Sequence, residues 1–340
     1  MHKAGAITHA IEGRAPPNQG ETAMRKRDPK RVYVGIDISK DTLAVAWFGL
    51  DGELNQFEIA NDEGGHQEII GRITAGRIRE ARIVQEATGS YGDRLFAALV
   101  SVPKVRVMVI RPSAAKAFAK ATNRRAKTDR VDAVVLATYA KSDTFKPTPV
   151  IDPALRQTRQ LARHMGELID RRAGVMNQRH AVKVGLDSSN FLLEALDAEE
   201  ATLTTLIEKL EAEILRRLSA IPEARVALER LVELPGIKNR TAARLLPELL
   251  CMPKHLSPRE AIAFAGLDPR PNQSGTSKAG THWHISKQGN SRLRRVLYMA
   301  ILSAVRWFKP LRAFYERLRA RGKLPMVALT ASMRKLLTAV

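Results

Sequence analysis

Four acidic residues stand in settings where an acid is costly or deliberately paired. Asp37 closes an apolar run in Gly35-Ile36-Asp37-Ile38-Ser39-Lys40. Glu86 ends another in Val84-Gln85-Glu86-Ala87-Thr88-Gly89, and Asp129 and Asp132 lie three apart in Lys127-Thr128-Asp129-Arg130-Val131-Asp132-Ala133. A carboxylate in apolar surroundings is expensive unless it is paired or metal-bound, and acids three apart on a helix share one face. Four such groups converging on one point repel one another. The arrangement becomes favourable when Mg²⁺, or a pair of such ions, sits among them, because hard cations take oxygen ligands. Two ions could clamp both oxygens of a phosphodiester displacement.

A second group of candidates lies in residues 270–290, a stretch rich in Gly, Ser, Thr and Lys that reads as a long loop. Long loops in compact domains are usually functional or disordered. It holds Ser274, Ser277 and Ser286, and a serine hydroxyl is a poor nucleophile until a base or metal activates it. His282 and His284 flank Trp283; two histidines without a third ligand make a weak metal motif, and the indole could stack on a base.

Charge narrows the substrate class. Lys and Arg outnumber Asp and Glu by 56 to 35, a formal charge of +21. That excludes an ordinary acidic metabolic enzyme as the leading expectation and points to a polyanion, nucleic acid before an anionic membrane. The surplus is concentrated: residues 270–340 carry fifteen Lys/Arg against Glu316 alone, and residues 104–130 carry nine against Asp129. Phosphate neutralisation by such stretches makes binding strongly salt-dependent. The single cysteine, Cys251, excludes an intrachain disulfide or a Cys-based zinc site and fits a reducing, cytoplasmic setting. No run approaches the ~18 apolar residues that a membrane span needs. Residues 1–31 lack the apolar core of a signal peptide, contain Pro16-Pro17 and Arg25-Lys26-Arg27, and read as a disordered basic arm.

The elements that must position these residues follow from periodicity. Strands are expected at 32–37, 43–49, 54–59, 81–86 and 105–110, with Asp51-Gly52 turning the second into the third. Helices are expected at 62–74, 91–102, 113–121 and 128–141. The order βββαβαβαα predicts one mixed α/β sheet covered by helices. It is the strand order of RNase H-like nuclease domains, in which the first and fourth strands are neighbours and Asp37 and Glu86 emerge side by side. Pro147, Pro149 and Pro153 mark a boundary, and 154–218 is proline-free and helical throughout. There Leu161, Leu168 and Met165 or Val175 could form a seam with Leu203, Ile207, Leu210 and Ile214, either within the subunit or as a coiled-coil arm between subunits. Leu234-Pro235-Gly236-Ile237 followed by 241–246 reads as helix, tight turn, helix, like the helix-hairpin-helix whose Gly turn offers N–H groups to a phosphate. Helices close the chain at 291–307, 311–320 and 326–339.

Taken together, the motifs resemble a family. G-I-D-I-S-K, E-A-T-G-S-Y-G and K-T-D-R-V-D-A are similar to the DEDD transposases of bacterial insertion sequences. So are E-L-P-G-I-K at 233–238, A-F-A-G-L-D-P at 263–269, Q-S-G at 273–275, I-S-K-Q-G-N-S-R-L-R-R at 285–295 and the final K-L-L at 335–337. The resemblance covers residues from about 32 to the C-terminus. It implies a RuvC-like nuclease domain over 32–146, a helical coiled-coil arm over 147–221 and a mainly α C-terminal transposase domain over 222–340. It also implies a Mg²⁺-binding tetrad of Asp37, Glu86, Asp129 and Asp132, and a catalytic serine in the Q-S-G motif, Ser274, with Ser277 or Ser286 as alternatives. Lys278, Lys287, Arg292, Arg294 and Arg295 would hold phosphates near that serine. Expected partners are donor and target DNA, a structured bridge RNA, and further copies of the chain in a dimer or tetramer. Two competing functions remain open at this level: a resolvase or RNase H-type nuclease using the tetrad and water alone, and a non-enzymatic nucleic-acid binder.

Overall fold

Val32, Val34, Ile36 and Ile38 alternate with Tyr33, Gly35 and Asp37 along the first strand, and that period of two decides which face each residue joins. The structure, a computed structural model, describes residues 31–76, 78–122, 129–254, 256–270 and 284–339, without the side chains of 129, 130 and 339. The expected basic arm therefore lies outside the described residues except for Arg31. Two compact units divide the chain, Met1–Val150 and Ile151–Val340.

The first unit is built on five strands: β1 (Arg31–Ile38), β2 (Thr42–Phe48), β3 (Leu54–Ala60), β4 (Glu80–Glu86) and β5 (Val105–Ile110). Their order is β3-β2-β1-β4-β5. The first three form an antiparallel meander, and β1–β4 and β4–β5 are parallel. The mixed α/β sheet and the adjacency of its first and fourth strands are as expected. One face packs Val34, Ile36, Ile83 and Val107 against helices α1 (Glu63–Thr74) and α2 (Asp93–Val100), which contribute Ile69, Ile73, Leu95 and Leu99. On the other face, Ala44, Ala46, Val84 and Ile110 meet α3 (Pro112–Ala121) and α4 (Asp129–Ala140) through Ala115, Ala133, Leu136, Ala137 and Ala140.

Helix α4 lies directly on the backbone of β1. An ideal Cβ placed on Gly35 would sit 2.1 Å from the Ala133 carbonyl oxygen and 2.2 Å from the Ala137 nitrogen. Only glycine permits that approach, and the alanines facing it on α4 keep the helix close.

The second unit is helical: α5 (Pro153–Val184), α6 (Asn190–Ser219), α7 (Pro222–Val232), α8 (Asn239–Leu250), α9 (Pro258–Phe264), α10 (Ser291–Trp307), α11 (Lys309–Ala320) and α12 (Pro325–Ala339), with the short strands β6 (Pro269–Arg270) and β7 (His284–Ile285). Helices α5 and α6 form a long hairpin whose pairs run in opposite senses, Gln157 with Arg217, Arg171 with Glu199 and Arg179 with Asp197. Its expected seam is buried at Met165, Val175, Leu203, Ile207 and Ile214. Ala162, Met165, Ile207, Ile214 and Leu218 belong to one core with Leu228, Leu245, Leu297, Ile301 and Leu336 of the helices that follow, whereas Val175, Leu196 and Leu203 form a separate cluster farther along the hairpin. Between α7 and α8 the tight turn is present, with Gly236 at φ 98°, and its Cα faces the α10 backbone: a Cβ there would lie 2.6 Å from the Ala304 nitrogen.

These contacts set a contrast between two glycines. Gly35→Ala forces α4 off the sheet and is expected to cost roughly 1–3 kcal/mol or more, as overpacked cores do. Gly71 lies exposed in the interior of α1 with nothing near its missing Cβ. Gly71→Ala is expected to stabilise by about 0.5–1 kcal/mol. Urea unfolding of the two variants beside the parent checks both signs.

Candidate active site

The C-terminal ends of β1 and β4 emerge together. Their parallel ladder pairs Gly35 with Val84 and Ile36 with Gln85. Asp37 and Glu86 are the next residues on these adjacent strands, and they share the face of Gly35 and Val84 that α4 covers. Both are half-buried, and Asp37 Oδ1 accepts the Ile38 N–H at 3.0 Å. Asp132 stands in the first turn of α4 beside Ala133, the residue whose carbonyl abuts Gly35. Glu86 registers the convergence: burial pushes its carboxyl above the ordinary range, and the charges of Asp37 and Asp132 push it further, against the opposing charge of Lys116. Asp129 is the first residue of the same helix, and its side chain lies outside those described.

Among the described residues, no three His, Cys, Asp or Glu side chains gather closely enough to hold a metal. The three described acids are brought into electrostatic range and offer only hard oxygen donors. Their mutual repulsion is the kind a divalent cation relieves, so the residues fit such an ion.

A buried histidine that periodicity did not single out fixes the loops beyond these acids. His66 of α1 is 4% exposed, and its Nε2 lies 2.9 Å from Asn61 Oδ1. The Asn61 amide donates to the Ser39 carbonyl at 2.9 Å and to the Tyr91 carbonyl at 3.2 Å, and the Asn61 N–H donates to the Asp41 carbonyl at 2.9 Å. One side chain thereby ties the segment after Asp37 to the segment after Glu86. Desolvation holds the imidazole below its usual value, helped by Arg94, while Asp62 and Glu63 act against it.

In the second unit, residues 271–283 lie outside the described residues, and with them Ser274, Ser277, Lys278, His282 and Trp283. Their flanks are joined: β6 pairs Pro269 with Ile285 and Arg270 with His284. The Ser286 N–H donates to the Asp268 carbonyl at 2.9 Å, and its hydroxyl donates to the Asp268 carboxylate. The Arg270 guanidinium donates to Gln288 Oε1 at 2.6 Å. The ends of the expected long loop are thus held together by a short two-stranded base, and the Ser286 hydroxyl is committed to that base. Lys287 is exposed at φ 54° in the adjoining turn. Arg294 donates to the Ala265 carbonyl at 2.8 Å, Arg292 faces Glu167 at 3.3 Å, and Arg295 pairs with Asp170.

Behind the loop base, Glu248 is 3% exposed and accepts two bonds from Arg163, at 2.6 and 3.0 Å, and one from Asn290 Nδ2 at 2.7 Å. Burial alone would push this carboxyl up. The hydrogen bonds and charge of Arg163, with Asn290, more than offset burial and hold it below the usual range. Asn290 also caps α10 by accepting the N–H groups of Arg292 and Leu293. Sequence reasoning passed over Glu248, although an acid within Leu245-Leu246-Pro247-Glu248-Leu249-Leu250 carries the signal that picked out Asp37.

Comparison with known proteins finds two family matches along the chain. Residues 34–185 match a transposase model of the DEDD, IS110 type, and residues 228–316 match the transposase IS116/IS110/IS902 family. The chain is 28% identical over 315 residues to the pilin gene-inverting proteins of Moraxella bovis and Moraxella lacunata, covering 91% of this chain and 94% of each relative. A protein of insertion element IS110 from Streptomyces coelicolor is 29% identical over 168 residues, 49% of this chain and 40% of that one. The chain belongs to the IS110 family of DEDD transposases, enzymes that cleave and rejoin DNA. Among the described residues, no helix is long and apolar enough to cross a membrane.

Two pH dependences follow. Glu86 titrates above its unfolded value of 4.5, so its contribution to stability is complete below that pH and is lost as pH rises through the raised value. Without divalent ions, Glu86→Gln is expected to melt above the parent at neutral pH, with the advantage vanishing below 4.5. His66 titrates below 6.5, so its contribution is present above 6.5 and is lost as pH falls through the lowered value. His66→Gln is expected to flatten that acid-side loss in thermal melts taken across the range.

Proposed function

We propose that this transposase cuts and rejoins DNA with Asp37, Glu86, Asp129 and Asp132 as a Mg²⁺-binding tetrad and Ser274 as nucleophile. The observation that carries the reading is the gathering of Asp37, Glu86 and Asp132 from two strands and a helix onto one face, where their charges bear on Glu86. Bound there, Mg²⁺ would supply Lewis-acid stabilisation of charge on phosphate oxygens. The strands hold Asp37 and Glu86 in fixed register, and α4 presents Asp132 and begins at Asp129. Ser274 lies in a Gly-flanked segment whose ends are joined by β6 and β7. Attack of Ser274 Oγ on a DNA phosphorus would form a phosphoserine bond and break the bond to the 3′ oxygen, the serine proton passing by way of a base to that oxygen to release a 3′-hydroxyl. Attack by another strand's 3′-hydroxyl on the phosphoserine would rejoin DNA and return the serine, conserving the bond energy.

Lys278, Lys287, Arg292, Arg294 and Arg295 are assigned to phosphates around the serine, in the stretch where fifteen bases face one acid. A structured bridge RNA would guide the enzyme to its sites, and the surplus of +21 suits two nucleic-acid partners. Recombination cuts two duplexes, each needing a nucleophile, so the working species is a dimer or tetramer. The α5–α6 hairpin, a coiled-coil arm on this reading, would join the copies, and the α7–α8 turn would lie near DNA as a helix-hairpin-helix-like segment.

The test is a denaturing gel of protein incubated with labelled element-end DNA, bridge RNA and Mg²⁺. Wild type is expected to yield a covalent adduct, and Ser274→Ala none while binding DNA as before. Alanine at Asp37, Glu86, Asp129 or Asp132 should lower adduct formation by more than ~100-fold, beyond what loss of an outer-shell metal partner costs. An adduct that survives Ser274→Ala and disappears in Ser277→Ala or Ser286→Ala moves the nucleophile. Cleavage with free 5′-phosphates and no adduct replaces the serine reading with hydrolysis by the tetrad alone.

A further inference from the structure

Within the second unit, α5, α8 and α10 enclose a cavity of about 330 Å³. Its wall carries four arginines and three acids, and three of the arginines have acid partners. Arg163 pairs with the buried Glu248, Arg292 with Glu167 and Arg295 with Asp170. Arg244 is left over. Among the described residues its guanidinium makes no hydrogen bond or salt bridge; it feels the charge of Asp170 without touching it, and the repelling charge of Arg295. The guanidinium rests against the α5 backbone where Gly166 has no side chain, with Nη2 3.5 Å and Nε 3.7 Å from the position a Cβ would take. Among the described residues, it is the one charge on the cavity wall that is partly withdrawn from water with no salt-bridge partner.

We propose that this cavity is a binding site for a single phosphodiester of a nucleic-acid backbone, with Arg244 as its central ligand. The inference rests on the reading of the chain as a nucleic-acid enzyme and names a contact that reading did not contain. The charge count selects the ligand: with each acid matched to its arginine, the wall carries one uncompensated positive charge, and a phosphodiester carries one negative charge. The planar guanidinium presents donors that match two phosphate oxygens at once. Arg292 and Arg295 flank it, and their pairs with Glu167 and Asp170 lie at the surface, with the arginine side chains 53% and 58% exposed. Exposed pairs of this kind are worth about 0–1 kcal/mol, so either arginine can turn to a phosphate at little cost. Arg163 cannot, because releasing it would strand the buried Glu248 carboxylate.

The test uses the full chain and fluorescently labelled duplex DNA and RNA, with anisotropy followed against salt concentration. Arg244→Gln is expected to weaken binding of at least one of them several-fold at fixed salt and to reduce the salt slope by about one phosphate contact. Arg244→Lys, a point charge without the fork, should recover the slope and only part of the affinity. Gly166→Leu should fill the space before Arg244 at unchanged net charge and weaken binding likewise, a result that mere loss of charge would not give. Unchanged affinity and slope in a folded Arg244→Gln overturns the proposal. Inorganic phosphate provides the second arm: if it raises the wild-type melting temperature over chloride of equal ionic strength, needs Arg244 to do so, and nucleic-acid binding is untouched, the site takes free phosphate and the backbone assignment falls. None of these readouts requires cleavage. An Arg244 effect on binding in a preparation that forms no adduct would retain this site and count against the serine mechanism alone.

Discussion

The first unit depends on one backbone-to-backbone contact. Helix α4 can reach the end of β1 only because residue 35 has no side chain, and the Ala133 carbonyl occupies the space a Cβ would take. That contact sets the height of α4 above the sheet. Asp37 follows Gly35 by two residues on the same face of β1, and Asp132 precedes Ala133 by one on α4. The distance of closest approach between strand and helix is therefore also what brings those two carboxylates into mutual range. Glu86 joins them through the parallel pairing of β4 with β1, which leaves no freedom of register while Val34, Ile36, Ile83 and Val84 stay buried. Repulsion among the acids is carried by this packing, and the burial of Ala44, Ala46, Ala133, Val134 and Ala137 around it holds α4 in place.

The second unit solves a similar problem with a different device. What its described residues fix is the pair of chain ends that flank residues 271–283. The β6–β7 pairing, the Ser286–Asp268 bonds and the Arg294 and Arg334 bonds to the Ala265 and Leu267 carbonyls do this locally. Asn290 connects the device to the core: it caps α10 with its oxygen and donates from its nitrogen to Glu248, which Arg163 of α5 holds by two bonds. Removing one member of a buried ion pair commonly costs about 3–5 kcal/mol, because the remaining charge stays buried. A polar triad at the junction of three helices gains little net stability over an apolar one, and a shift of α5, α8 or α10 that broke it would leave the Glu248 carboxylate buried without Arg163.

Sequence made visible what is local and periodic. The boundaries of the five strands and most helices came within one or two residues of the alternation of apolar side chains, and the adjacency of β1 with β4 came from the order of elements. The seam of the α5–α6 hairpin was legible for the same reason. What stayed hidden depends on contacts between residues far apart in the chain. Gly35 was visible as part of a motif, but its purpose exists only once Ala133 lies against it. His66 looked like one more polar residue of α1 until its burial and its bond to Asn61 placed it behind both carboxylate-bearing strand ends. Arg244 sits within an apolar helix-turn-helix pattern, and no spacing rule marks it; its meaning comes from having no salt-bridge partner among the described residues around α5. Helix α9, seven residues long, is too short for periodicity to show and is declared only by its capping box, Ser257 with Glu260.

The two units thus gather charge of opposite sign. In the first, packing holds Asp37, Glu86 and Asp132 on one face of the sheet, and burial makes Glu86 the member that takes a proton more readily. In the second, every acid of the α5–α8–α10 cavity has its arginine, and among the described residues the Arg244 guanidinium makes no hydrogen bond or salt bridge. Neither cluster of like charge improves the stability of the isolated chain. On the proposed reading each is completed from outside, the first by a cation and the second by an anion. A nucleic-acid phosphate accompanied by a divalent ion would then bring both signs, which suits an enzyme acting on phosphodiesters that gathers charge of both kinds.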